Sequence, residues 1–158
     1  MTSTSPRVVV IGAGTGGLAL AHGLLRSGID VQVFERDALR TEGLQGYRVG
    51  IDPDGSRALH ALLPPELYKT FVATCARAPR WFSMLTEDLH EVLALEIPLQ
   101  ADPVESEKSV SRMTLRQVLM TGLENVIIFG KEFTHFEQHT DGTVMAHFAD
   151  GSSATSPP

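Results

Sequence analysis

The sequence is poor in cysteine and in basic side chains. Its 158 residues include one cysteine, Cys75, so an internal disulfide is excluded and a reducing, cytoplasmic location is expected. Lys and Arg number 13 against 19 Asp and Glu, which gives a net charge of -6. Binding to a phosphate backbone needs a basic face, so a nucleic-acid partner is not expected.

A convincing membrane or secretory segment is also missing. The stretch from Val8 to Leu25 is almost uncharged, but it contains five glycines and His22. Only Arg7 precedes it as a basic residue, and no small-residue cleavage site follows it convincingly. The spacing of the glycines explains this stretch better than a membrane span does.

The same stretch begins with a strand and a glycine-rich turn. Val8 to Ile11 is a β-branched run that is typical of a buried strand, and Gly12, Gly14 and Gly17 follow with G-x-G-x-x-G spacing. The first glycine permits the tight turn, the second lets a pyrophosphate approach the backbone, and the third lets the helix pack on the strand. The helix that follows would point its positive N-terminal end at the phosphates.

The residues after the turn complete a βαβ dinucleotide-binding pattern. Ala21 and Leu24 give the helix a small, apolar face, and Gly28 is placed to end it. A second strand, Val31 to Phe34, leads to Glu35, which lies 23 residues after Gly12. A carboxylate at this position can accept hydrogen bonds from a ribose hydroxyl.

Two later arginines have a pattern that suits phosphate. Arg48 lies in the segment from Gly46 to Gly55, which reads G-x-R-x-G-x-x-P-x-G, and the segment continues into a helix capped by Asp52 or Asp54. Arg112 lies near the start of a helix from Ser111 to Leu119. A cation near the N-terminus of a helix is not stabilised by the helix dipole. An arginine at this position therefore suggests that an anion lies nearby.

These motifs together resemble the group A FAD-dependent monooxygenases, the aromatic hydroxylases of the p-hydroxybenzoate hydroxylase type. The resemblance is carried by the glycine fingerprint, Glu35-Arg36, the segment beginning at Gly46, and the S-R-x-x-L-R-x-x-L element that begins at Ser111. It covers nearly all of this chain but only the N-terminal portion of a typical family member. Arg116, the second arginine of that last element, is interpreted as a structural partner. The cofactor-binding residues that the resemblance implies are Gly12, Gly14, Gly17, Glu35, Arg36, Gly46, Arg48 and Arg112.

The resemblance implies an α/β, Rossmann-type FAD-binding fold of the glutathione reductase-like kind, in truncated form. Residues 1–158 would form the N-terminal part of the FAD-binding domain, and about 78–100 would leave it to join a substrate-domain sheet. Two strands, Pro79 to Met84 and Glu91 to Ile97, fit that excursion, and Trp81, Phe82 and Met84 would face a ligand or pack in the sheet. Pro157 and Pro158 cannot continue a central strand.

The implied activity is flavin-dependent hydroxylation or epoxidation of a small aromatic or secondary-metabolite substrate. In the family, NAD(P)H reduces FAD, and oxygen passes to the substrate through a flavin C4a-hydroperoxide. The chain alone is expected to be weakly active or inactive, and to self-associate or need a complementing C-terminal half. Two alternatives stay open: a non-catalytic dinucleotide-binding remnant or accessory module, and an NAD-dependent oxidoreductase fragment. The catalytic residues are not identified by the sequence.

The C-terminal region predicts a β-hairpin and contains three histidines. Strands from Glu132 to His139 and from Thr143 to Ala149 flank an Asp-Gly turn. His135 and His139 share a strand face but would lie roughly 13 Å apart, too far to share one ion. His139 and His147 would supply only two ligands, so the sequence favours solvated surface histidines and no metal site.

Overall fold

The computed structural model describes residues 8–40, 47–77 and 79–157, which form ten strands and four helices. The elements are, in chain order, β1 (Val8–Ile11), α1 (Thr15–Arg26), β2 (Val31–Phe34), β3 (Arg48–Ile51), α2 (Pro53–Leu62), α3 (Pro65–Thr74), β4 (Trp81–Leu85), β5 (Glu91–Glu96), β6 (Lys108–Ser111), α4 (Arg112–Met120), β7 (Ile127–Ile128), β8 (Phe133–Gln138), β9 (Val144–Phe148) and β10 (Ser153–Ser156).

The N-terminal unit is the predicted parallel βαβ fold. Strand β1 pairs in parallel with β2, and β2 pairs in parallel with β7, so the sheet order is β1-β2-β7. Helix α1 connects the first two strands and ends in a Schellman motif: the Gly28 N–H donates to the Leu25 carbonyl and the Ile29 N–H to the Leu24 carbonyl. Gly28 has a φ of 71°, which explains why glycine suits this helix end. The predicted Rossmann-type fold is confirmed.

The main core lies between this sheet and the helices. Helix α1 buries Leu18 and Ala21, and α4 buries Leu115, Val118 and Leu119 on the single face expected from its periodicity. Helix α3 adds Phe71, which is fully buried. Truncating one such leucine or phenylalanine to alanine typically costs about 2–5 kcal/mol, so this cluster contributes much of the stability of the domain.

Helix α2 begins at Pro53, two residues before Gly55, where the sequence predicts the start of a helix. Asp52, one of the two predicted caps, is the N-cap, and its Oδ1 accepts a 2.7 Å hydrogen bond from the Gly55 N–H. Pro53 is the first helical residue, where its missing N–H costs nothing.

Strand β6 is not predicted by the sequence, which indicates a loop from Ile97 to Lys108 and a helix from Ser111. It pairs antiparallel with β3, with Arg48 opposite Ser111. Val110 is the one apolar residue of β6, and the other buried side chain of the strand is that of Lys108. The Lys108 Nζ donates to the Ser56 Oγ and the Ser106 carbonyl, and desolvation lowers the pKa of Lys108. A buried, hydrogen-bonded lysine cannot be recognised from alternation of apolar residues.

The C-terminal sheet is antiparallel in the order β10-β9-β8. The predicted hairpin closes with Thr140, Asp141 and Gly142, and Gly142 has a φ of 87° and donates to the His139 carbonyl. Strand β10 forms and ends at Ser156, before Pro157, as the proline requires. Phe148 packs on Phe34 with ring centroids 4.7 Å apart, which joins this sheet to β2.

Strands β4 and β5 form the predicted two-stranded ribbon. Phe82 pairs with Leu95 and Met84 with Leu93, so these four side chains share one face. Every residue of both strands is exposed. Trp81 lies on the opposite face and is 62% exposed. Within the part of the chain that the structure describes, this apolar face is therefore open to solvent.

No helix within the described ranges is both long enough and apolar enough to cross a lipid bilayer.

A buried histidine predicts a pH dependence of stability. His22 lies on α1, its Nε2 is 2.9 Å from the Leu119 carbonyl, and desolvation lowers its pKa below the ordinary value of 6.5. Below that ordinary value the unfolded state binds a proton that the folded state resists, so stability should fall as the pH falls. We expect His22→Gln to flatten the change in free energy of unfolding between about pH 7.5 and pH 5, measured by urea titration. The exposed His139→Gln should retain the wild-type slope, and an equal slope in all three proteins would contradict the prediction.

Candidate dinucleotide-binding site

The glycine turn has the geometry that its spacing predicts. Gly12 has a φ of 97°, and its N–H donates to the Phe34 carbonyl at 2.7 Å. A Cβ on Gly17 would lie 2.1 Å from the Gly12 carbonyl oxygen, so only glycine permits this helix–turn contact. A Cβ on Gly14 would have no heavy atom within 4 Å, so the space beside it is open to a ligand.

The N-terminus of α1 is left open beside this space. Gly14 is the N-cap, no side chain caps the helix, and its first turn contains no acidic residue. The first N–H groups of a helix have no partner within the helix and carry its positive dipole end. The turn therefore presents hydrogen-bond donors where an anion would be stabilised.

Glu35 lies at the floor of the same region. It follows β2, it is 8% exposed, and its Oε2 accepts a 2.7 Å hydrogen bond from the Ala13 N–H. Its Oε1 accepts a 3.1 Å hydrogen bond from the Asp37 N–H. An ionised carboxylate has about four acceptor sites, so these two bonds leave capacity for ligand hydroxyls. The predicted carboxylate is thus held rigidly with acceptor sites to spare.

Arg116 on α4 ties this carboxylate to the turn. Its Nε donates to the Ala13 carbonyl at 3.1 Å, and its Nη2 lies 3.2 Å from the Asp37 Oδ2 and 3.6 Å from the Glu35 Oε2. The arginine side chain is only 12% exposed. These contacts support its interpretation as a structural partner, because one guanidinium fixes both acidic groups and the backbone of the turn.

A cleft of about 510 Å³ lies above these groups. It is bounded by the glycine turn, the end of β2, the start of α4 and the start of β8. Its lining side chains carry charges of both signs. The lining residues are Ile11, Gly12, Ala13, Gly14, Thr15, Phe34, Glu35, Arg36, Asp37, Arg112, Met113, Arg116, Lys131, Glu132 and Phe133.

Five of the eight predicted site residues line this cleft: Gly12, Gly14, Glu35, Arg36 and Arg112. Arg36 and Arg112 are both exposed. A sixth, Gly17, acts behind the turn through its packing rather than at the cleft wall.

Arg48 lies outside the cleft lining, and Gly46 falls outside the described residues. The guanidinium of Arg48 donates to the Ser109 Oγ at 2.9 Å and to the Ser109 carbonyl at 2.8 Å. Its strand runs beside the cleft, because the Arg112 N–H donates to the Tyr47 carbonyl. A cofactor contact of Arg48 therefore stays a prediction.

Lys131 and Asp37 are cleft residues to which the sequence assigned no role. The Lys131 N–H donates to the Glu35 carbonyl at 2.8 Å, and its Nζ pairs with Asp150 and donates to Ser152. These contacts hold the pKa of Asp150 well below its usual range. The sequence could have indicated Asp37 as a cleft residue, because it lies two residues after Glu35. Lys131 is brought to the cleft only by the fold.

The cleft presents backbone N–H groups and charged side chains of both signs to a ligand. The helix N-terminus and the two exposed arginines suit phosphate, and the Glu35 carboxylate suits a ribose. The geometry therefore fits the ADP portion of a dinucleotide.

Comparison with known sequences agrees with this geometry. A family model for the NAD(P)-binding Rossmann-like domain matches residues 10–50. The chain is 33% identical over 157 residues to the dual O-methyltransferase/FAD-dependent monooxygenase elcB of Phaeosphaeria nodorum, covering 93% of this chain and 16% of that protein. It is 33% identical over 164 residues to the FAD-dependent monooxygenase dbaB of Emericella nidulans, covering 98% of this chain and 39% of that protein. The chain thus spans well under half of these relatives.

Solved structures give the same relationship. A putative FAD-containing monooxygenase from Photorhabdus luminescens superposes with a TM-score of 0.81 at 32% identity, over 96% of this chain and 38% of the other. HpxO of Klebsiella pneumoniae, solved with FAD and uric acid, superposes with a TM-score of 0.77 at 26% identity, over 94% of this chain and 36% of the other.

Proposed function

Since the chain is related to the FAD-dependent monooxygenases over one portion of their length, we propose that it holds the ADP portion of FAD in such an enzyme. The substrate would be a small aromatic or secondary-metabolite molecule, and NAD(P)H would be the reductant. Bound FAD supplies the redox and oxygen-transfer chemistry, whereas the protein binds and orients it. The cytoplasmic location is part of this proposal, supported by the single cysteine.

The observation that carries the proposal is the position of Glu35 opposite the open N-terminus of α1. Its carboxylate is fixed by the Ala13 N–H and the Asp37 N–H. The hydroxyls of the adenosine ribose would donate to the remaining lone pairs of the Glu35 carboxylate, and the pyrophosphate would lie on the N–H groups beside Gly14. Arg112, exposed at the cleft, would neutralise phosphate charge.

Ligand competition tests the proposal. We expect the purified chain to bind FAD and to be competed by ADP, but not by riboflavin, because the described cleft offers contacts to the nucleotide end. Quenching of flavin fluorescence and equilibrium dialysis would measure both. Binding of riboflavin equal to that of FAD, or no binding of either FAD or ADP, would contradict the proposal.

The NAD-dependent alternative shares the ADP portion, so relative affinity separates the two. Glu35 suits the ribose of either cofactor. Tighter binding of NAD than of FAD in the same dialysis would favour the oxidoreductase fragment. Binding of FAD by the chain together with the absence of turnover, even after a complementing C-terminal half is added, would favour the non-catalytic module.

Arg112 provides a variant test of phosphate contact. We expect Arg112→Met to weaken FAD and ADP binding about 10-fold, since a hydrogen bond to a charged group contributes about 1.5–3 kcal/mol. The wild-type affinity should also fall more steeply with salt than that of the variant. Arg57→Met is the matched control, because Arg57 pairs with Glu105 away from the cleft. Equal losses in both variants would argue against a phosphate contact.

The β4–β5 ribbon supports an interaction with further polypeptide, either a second copy or a complementing C-terminal half. Its apolar face, formed by Phe82, Met84, Leu93 and Leu95, is open to solvent. Such patches favour association. We expect concentration-dependent oligomers in size-exclusion chromatography with light scattering, reduced by Met84→Lys and not by Ser83→Lys on the opposite face. A monomer at all concentrations would contradict self-association.

A further inference from the structure

Three side chains with metal-binding atoms converge on the outer face of the β8–β9 hairpin. His135 and Glu137 are two residues apart on β8 and therefore share a face. His147 lies on β9 directly opposite His135 in the strand register. None of the three lines the dinucleotide cleft.

The distances between these side chains suit a shared ion. The His135 Nε2 is 3.8 Å from the Glu137 Oε1, and the His147 Nε2 is 3.7 Å from the Glu137 Oε2. One ligand atom from each residue can be chosen so that all three lie within 4.8 Å of one another. A zinc ion binds its ligands at about 2.0–2.2 Å, so the ligand atoms of a tetrahedral site lie about 3.4 Å apart. Rotation of the exposed His135 and Glu137 side chains would bring the ligand atoms to that separation.

A neighbouring hydroxyl fixes the orientation of one ligand. The Thr134 Oγ1 donates to the His147 carbonyl at 3.0 Å, and it lies 3.1 Å from the His135 Nδ1. Because the Thr134 hydroxyl proton is donated to the carbonyl, the Oγ1 accepts a hydrogen bond from the His135 Nδ1–H. Neutral His135 then carries its lone pair on Nε2, the atom that faces Glu137. Hydrogen bonding at the second ring nitrogen is the usual way in which proteins orient a metal-binding histidine.

The second histidine has an unsatisfied nitrogen at the same place. The His147 Nε2 is buried and has no hydrogen-bond partner within the described ranges. The two imidazole rings stack with centroids 4.5 Å apart and an interplanar angle of 8°. A buried polar atom without a hydrogen-bond partner is energetically unfavourable. A bound cation would satisfy the nitrogen and explain why the rings are held together.

We propose that His135, Glu137 and His147 bind a divalent transition-metal ion of the Zn²⁺ type. Two imidazole nitrogens and one carboxylate oxygen form a set that such ions prefer over Mg²⁺ or Ca²⁺. The exposed position of Glu137 leaves room for water as a fourth ligand. The site would link β8 to β9 and is independent of the proposed FAD binding.

The strand register explains why the sequence favoured surface histidines. His135 and His139 are too far apart along one strand, and His139 and His147 supply only two ligands, whereas His135 and His147 face each other across the hairpin. Counting back from the Asp-Gly turn, with Gln138 opposite Val144, places His135 opposite His147. The sequence does not identify Glu137 as a candidate metal ligand, because carboxylates are common on exposed strands.

Titration of the full chain with ZnCl₂ alone tests the site. We expect one Zn²⁺ per chain by isothermal calorimetry, and a tetrahedral visible spectrum when CoCl₂ is used instead. His147→Ala and Glu137→Gln should each weaken binding at least about 10-fold, a loss of about 1.4 kcal/mol. His139→Ala is the matched control and should bind as the wild type does. Unchanged affinity in His147→Ala, or an equal loss in His139→Ala, would overturn the proposal.

Substitution of Thr134 distinguishes this site from nonspecific binding of metal ions to surface side chains. Thr134→Val keeps the β-branched shape but removes the hydroxyl that fixes the His135 tautomer, so binding should weaken roughly 10-fold. Thr134→Ser should restore it. Circular dichroism of each variant would check that the hairpin is retained. Equal affinity in the valine and serine variants would show that the described geometry does not hold an ion.

Discussion

Gly17→Ala should destabilise the protein and weaken nucleotide binding, because the new Cβ would lie 2.1 Å from the Gly12 carbonyl oxygen. Neither atom can move away easily, because the carbonyl is part of the backbone of the turn and the Cβ would be attached to the backbone of helix α1. Overpacking of this kind costs about 1–3 kcal/mol. Urea unfolding would measure the loss of stability, and FAD or ADP dialysis would measure binding, which should weaken at least about 10-fold if the turn moves.

Gly16→Ala is the matched control for this substitution. Gly16 is the adjacent residue in the first turn of α1, and a Cβ there would have no heavy atom within 4 Å. Alanine has a higher helix propensity than glycine, so the control should be neutral or slightly stabilising. Equal destabilisation by both substitutions would mean that the close contact between helix and turn is not what restricts position 17.

Glu35→Gln should produce the largest loss of FAD and ADP binding. The carboxylate accepts from the Ala13 N–H and the Asp37 N–H, and a carboxamide keeps only one accepting oxygen while its NH₂ group faces the other donor. Hydrogen bonds to charged groups contribute about 1.5–3 kcal/mol, so we expect binding to weaken about 10- to 100-fold. The nearby Arg116 would also lose one of its two carboxylate neighbours. Fluorescence titration of FAD would measure the effect.

The matched control is Glu132→Gln, since Glu132 is an exposed carboxylate in the lining of the same cleft. It removes the same charge without disturbing the Glu35 contacts. If the control weakened binding as much as Glu35→Gln does, the net charge of the cleft rather than the fixed carboxylate would determine affinity.

Elements with local sequence signals can be predicted from the amino-acid sequence alone. Glycine spacing fixed the turn, because Gly12 requires a positive φ and Gly17 requires the absence of a Cβ. The position of Glu35 is predicted from the end of the apolar strand β2, and the position of the hairpin is predicted from its Asp-Gly turn. In each case the constraint acts within a few residues, so the pattern is visible without knowledge of the fold.

Contacts between distant segments depend on the folded arrangement of the chain and are not visible in the sequence pattern. Strand β6 is anchored by a buried lysine rather than by apolar alternation, so its sequence resembles a loop. The contacts of Arg116 with Ala13, Asp37 and Glu35 depend on how α4 packs against the turn. The convergence of His135, Glu137 and His147 depends on strand register. The chemistry of each side chain is known from the sequence. The distance between two side chains, however, is set by the packing of the helices and the pairing of the strands that carry them.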